Sequence, residues 1–141
     1  MLRIAPDVNV LVSAVLRPPG PPGRIVAAWR RGEIELITSP TLIERTADVL
    51  RRPHILNNFP IDEADIQDLR TLLEEETLLT PHALDLRVVE EDPEDDAIII
   101  AAVEGRADCI ISGDRHLKNL GTHEGIPILS PGEFVAQYNI P

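Results

Sequence analysis

The sequence predicts an α/β domain of three layers, α/β/α, around a mainly parallel central sheet. Three observations predict it. Short apolar runs, "LRIA" (2–5), "EIELITS" (33–39), "DCIISGD" (108–114) and "IPILS" (126–130), alternate with segments of helical character. Most of these runs are continuously apolar rather than alternating, as expected of strands covered on both faces. The 141 residues amount to one domain, residues 1–141, with no internal repeat.

Taken in order, residues 2–5 form a strand. "VNVLVSAVL" (8–16) follows directly; periodicity leaves it between strand and buried helix, and we read it as a helix with Asp7 near its N-terminus. "RPPGPPG" (17–23) reads as a loop, since four prolines and two glycines leave little else. "RIVAAWRRG" (24–32) is a helix stopped by Gly32, with Trp29 as a packing residue. After the strand at 33–39, Ser39 and Pro40 are an N-cap and first-turn proline. That helix should run to about Arg52 and stop at Pro53. Residues 61–76 are amphipathic: Asp62 and Asp65 have capping-box spacing, and Ile66, Leu69, Leu72 and Leu73 form the apolar stripe. "DLRVV" (85–89) is a short edge strand. Asp92 caps a helix that has Pro93 in its first turn and stops at Gly105. The strands at 108–114 and 126–130 follow, and Ser130, Pro131 and Glu133 open a last helix ending near Tyr138.

Composition narrows the function. The chain is 43% hydrophobic and 26% charged, so it can bury a core. Cys109 is the only cysteine, which rules out an intrachain disulfide; in "CIISG" it reads as a small core residue. No apolar run approaches the ~20 residues of a bilayer span, so no membrane association is expected and a cytoplasmic location is. The net charge of −11 argues against nonspecific polyanion binding by the whole surface. It hides an asymmetry. Residues 1–52 hold eight arginines and five acids, a net of +3, while residues 53–141 hold five basic residues and nineteen acids, a net of −14. Arg17, Arg24, Arg51 and Arg52 in the first part are candidates for contact with a phosphate backbone.

The acids are placed where chemistry would be. Sheets of this class carry their sites outside the carboxyl ends of the strands. Asp7 ends the first strand, Glu44 lies on the helix after the second, and Asp114 ends "CIISGD". "EEDPEDDAIII" (90–100) brings Asp92, Glu94, Asp95 and Asp96 to the mouth of a buried helix. Each has a bland role: Asp7 and Asp92 as caps, Glu44 in a helix's first turns, Asp114 in a turn. Those roles do not explain why all should gather at one rim. Two like charges ~4 Å apart cost roughly 4 kcal/mol at an effective dielectric near 20, and a proton or a cation must relieve that. Oxygen ligands without cysteine or histidine partners select Mg²⁺ or Mn²⁺. The histidines at 54, 82, 116 and 123 lack metal-ligand spacing; His116 alone is near the rim, in a supporting role. Such a site suits phosphodiester hydrolysis.

Together the segments resemble a family. "PDVNVLVSAVL", "SPTLIERTADVLRRP", "EDPEDDAIIIAAVEGRADCIISGDRHL" and "ILSPGEFV" are similar to the successive motifs of PIN-domain proteins, most closely the toxin branch of toxin–antitoxin pairs (VapC-like). The resemblance covers nearly the whole chain. It implies a Mg²⁺- or Mn²⁺-dependent endoribonuclease with Asp7, Glu44, Asp95 and Asp114 as its acid quartet and metal ligands. Asn9 and Ser112 would support the quartet by hydrogen bonds. Asp96 is the alternative to Asp95, because both have apolar residues at helical spacing on their faces. His116 stands where many relatives carry a further acid. RNA as substrate, an antitoxin protein as partner and a homodimer are implied as well. Two alternatives remain: a PIN-like binding module with weak or no catalysis, and a phospho-receiver domain, which expects adjacent acids after the first strand and a late lysine. Here Asp7 follows Pro6, and Lys118, the only lysine, is expected in a loop.

Overall fold

The computed structural model describes residues 1–84 and 96–141. Strand β1 (Arg3–Pro6) leads through Asp7 into helix α1 (Val8–Leu16), whose first turn Asp7 caps. Helix α2 (Pro21–Arg30) precedes β2 (Glu35–Thr38), and Ser39 caps α3 (Pro40–Leu50). Then follow α4 (Pro53–Asn58), α5 (Glu63–Glu76) and β3 (Leu78–Leu79). The remainder is α6 (Asp96–Gly105), β4 (Cys109–Ile111), α7 (Arg115–Leu120), β5 (Thr122–His123), β6 (Ile126–Leu129) and α8 (Pro131–Gln137).

Among the described residues the sheet has six strands, in the order β3-β2-β1-β4-β6-β5. All neighbours are parallel except β5, which pairs antiparallel with β6 at one edge. Its two faces carry separate cores. On one, Ile4, Leu36, Cys109 and Ile111 pack with Leu11, Ile25, Trp29 and Phe134 of α1, α2 and α8. On the other, Ala5, Ile37 and Ile110 pack with Ala97, Ile98, Ala101 and Ala102 of α6 and Leu117 of α7. A smaller cluster, Val12, Ala47, Leu50, Ile55 and Ile66, joins α1 and α3 to α4 and α5. This is the three-layer α/β/α arrangement around a mainly parallel sheet. Among the described residues no helix is long and apolar enough to cross a membrane.

The capping-box and Ser–Pro signals are realised. Asp62 and Asp65 cap α5 reciprocally, as Ser130 and Glu133 do α8. Three expectations need correction. The proline-rich segment is not all loop: α2 begins at Pro21, since Pro21 and Pro22 fill first-turn positions that need no N–H. Gly23 makes this possible, because a Cβ there would lie 1.8 Å from the Pro18 carbonyl oxygen. The helix after Ser39 stops at Leu50, and Pro53 opens α4. Lys118 lies in α7, not in a loop, and pairs with Glu133. The expected strand at 85–89 and the Asp92 cap with Pro93 lie outside the described residues.

Candidate active site

The chain runs from β1 to β2 to β3 on one side, then returns to place β4 against the other side of β1. The strand order therefore reverses between β1 and β4, and ligands of open α/β sheets bind outside the carboxyl ends at such a reversal. Asp7 follows β1 there, and Ser112, Gly113 and Asp114 follow β4.

Asp7 is the centre of the arrangement. It is 7% exposed. Its Oδ1 accepts from the Val10 amide at 3.1 Å, and the amide of Asn9 is also directed to the carboxylate. Its Oδ2 accepts the Ser112 hydroxyl. Ser112, fully buried, accepts in turn from the Asp114 amide at 3.0 Å. Burial pushes the Asp7 carboxyl above its ordinary pKa, and the charge of Asp114 adds to this; hydrogen bonds from Ser112, Val10 and Asn9 pull it back. A buried carboxylate so placed is eased by a proton or a cation.

Asp7, Ser112 and Asp114 are brought together. Asp114 also keeps its bland role, capping α7 through Leu117 at 3.4 Å. Asn9 is exposed and contributes its backbone amide rather than its side chain. Asp96 is buried as the first residue of α6. The far end of α6 lies at the start of β1, because the Gly105 carbonyl accepts from Arg3 Nη1 at 3.4 Å. The helix spans about 15 Å and β1 about 13 Å, so the Asp96 end of α6 lies toward the carboxyl end of β1. Asp95 and the side chain of His116 lie outside the described residues.

Glu44 is placed differently. It is exposed, and its Oε1 pairs with Arg70 of α5. Helix geometry shows why. Leu42 turns to the core that α6 builds. At 100° per residue Glu44 lies about 160° round from Leu42, on the α5 flank, whereas Arg45 lies about 60° round, on the α6 flank. The sequence carried this signal in the spacing from Leu42; the Arg70 partner was not legible in it.

Among the described residues no three His, Cys, Asp or Glu side chains are grouped to hold a metal. The oxygen donors present nevertheless fit a hard divalent cation, which takes one or two carboxylates and keeps several waters. A buried carboxylate with a second one beside it, and neither sulfur nor imidazole among the described residues, is such a donor set. Curated proteins offer no match to the chain. A family model described as PIN domain matches residues 3–116, from the first residue of β1 into α7, and so spans Asp7, Ser112 and Asp114. The chain belongs to the PIN-domain family, a family of metal-dependent nucleases that usually use divalent cations.

Proposed function

We propose that the protein is a Mg²⁺- or Mn²⁺-dependent endoribonuclease of toxin type, a cytoplasmic homodimer restrained by an antitoxin protein. The observation that carries the catalytic part is the Asp7 carboxylate, buried beside Asp114 and fixed by Ser112. Asp7 and Asp114 would hold the cation with Asp95, or with Asp96 in its place. Glu44 would join them only by leaving Arg70. When bound, the cation supplies positive charge to the scissile phosphate and lowers the pKa of a water. The protein's part is to fix its carboxylates. Ser112 and the amides of Val10 and Asn9 hold Asp7 in one orientation, and the apolar face of α6 would hold Asp96 toward the rim. Metal-free, Asp7 relieves its burial by taking up a proton more readily than a free carboxylate.

The test is cleavage of RNA by the purified protein with Mn²⁺. Wild type should cleave, whereas Asp7→Asn and Asp95→Asn should not. Equal activity in all three would mean contamination and end the catalytic reading. One observation favours a second reading, a PIN-domain module that binds RNA without turnover: Glu44 faces α5 instead of the Asp7 rim. RNA binding without cleavage under any divalent cation would select it. Membership in the PIN-domain family removes the phospho-receiver alternative, and the lysine it needed is paired with Glu133.

A further inference from the structure

We infer that Arg115 and Arg45 are the side chains that meet the RNA phosphates beside the acid rim; this rests on the ribonuclease reading. The arginines first singled out are poorly placed for the task. The helices that follow β1 and β2 run away from the carboxyl edge, so Arg17 ends α1 and Arg51 and Arg52 end α3, about 14–16 Å from their starts. Most of them are also engaged. Arg17 stacks over Phe59 with 5.5 Å to the ring centroid, Arg24 donates to the Ile140 carbonyl at 2.7 Å, and Arg51 pairs with Glu63 at 2.8 Å.

Arg115 and Arg45 are at the rim itself. Arg115 directly follows Asp114 and is exposed. Among the described residues it makes no ion pair. Arg45 is half-buried in the second turn of α3, on the α6 flank, where Asp96 begins its helix. The pair therefore brackets Asp7 and Asp114 from the β4 side and the β2 side. A net charge of −11 makes such a bracket necessary: a polyanion must approach a rim of acids, and local guanidinium groups are what offsets the repulsion. The planar fork of arginine suits a phosphate's two free oxygens. A bound cation would serve the scissile phosphate, and the two arginines would meet its neighbours along the strand.

The experiment is RNA binding in the Asp7→Asn background, so that nothing is cleaved. Anisotropy of a fluorescein-labelled single-stranded RNA of mixed sequence is read with Mg²⁺ over a series of KCl concentrations. Adding Arg115→Ala or Arg45→Ala should weaken binding and reduce the slope of log K against log [KCl] by about 0.7 for each phosphate that is no longer neutralised. Adding Arg51→Ala, with circular dichroism confirming the fold of each variant, should leave the slope unchanged. Unchanged slopes for both rim arginines, or an equal loss for Arg51→Ala, would overturn the inference. If wild type cleaves RNA while the rim variants bind as their parent does, only this inference falls. If wild type neither cleaves nor binds RNA, both fall.

Discussion

At the scale of single residues, Asp7 joins three roles that sequence reading treats as alternatives. It caps α1, it accepts the Ser112 hydroxyl, and it stands beside Asp114. The cap and the candidate reactive carboxylate are one group, so the bland role does not exclude the functional one. Ser112 is the hinge of this arrangement, because its oxygen touches both acids' residues. Ser112→Ala should lower metal affinity or activity roughly 10- to 100-fold, as loss of a supporting hydrogen bond does at metal sites. A Mn²⁺ titration read by melting temperature, beside the cleavage assay, checks this. Cys109 is the counter-example of a chemically capable side chain left idle. Burial pushes its thiol up to about 12. A thiol reagent at pH 8 should label it only in denaturant, and fast labelling of the native protein would contradict its place in the core.

At the scale of elements, the signals that act through neighbouring backbone were legible. Ser39-Pro40, Asp62 with Asp65, and Ser130 with Glu133 start helices where the spacing says they should. What was not legible depends on distant neighbours. The start of α2 at Pro21 requires the Pro18 carbonyl to close on Gly23, which no local pattern announces. Glu44 was assigned to the rim by its position after "SP", and only the packing of α3 shows which flank it occupies. Gly105, read as a helix stop, also lets α6 approach β2: a Cβ there would lie 2.7 Å from Ile37 Cγ2. Gly105→Ala should therefore destabilise the protein by about 1–3 kcal/mol through overpacking, despite the better helix propensity of alanine. Urea denaturation measures it, and a neutral or stabilised variant would mean that Ile37 yields easily.

At the scale of the whole molecule, charge and topology set the response to pH and the order of assembly. Two groups pull stability in opposite directions. The Asp7 pKa is raised in the fold, so the metal-free native state binds more protons than the unfolded chain above pH 3.8, and this contribution falls as pH rises. The Lys118 ammonium and the Ser130 amide and hydroxyl hold Glu133 down at about 2, so its contribution is present above 4.5 and is lost as pH falls toward 2. Melting temperatures followed from roughly pH 3 to 8 should then show Asp7→Asn gaining on wild type as pH rises, because burial disfavours the charged form of the wild-type carboxyl. Glu133→Gln should lose its difference from wild type only in acid, and salt should shrink it, because the Lys118 pair is exposed.

The fold class was legible because alternating apolar runs report it, whereas the β1–β4 contact that makes the site joins residues 105 apart. That separation has a consequence for synthesis. A nascent chain can pair β1 with β2 early, since both lie in its first 38 residues. The Asp7–Ser112 bond has no partner until residue 112 has left the ribosome, 105 residues after Asp7. Chains emerge N-terminus first at about 5–20 residues per second, so the Asp7–Asp114 pair forms roughly 5–20 s after Asp7 has emerged. A site built this way stays incomplete through the interval in which β1, β2 and the helices between them can already fold.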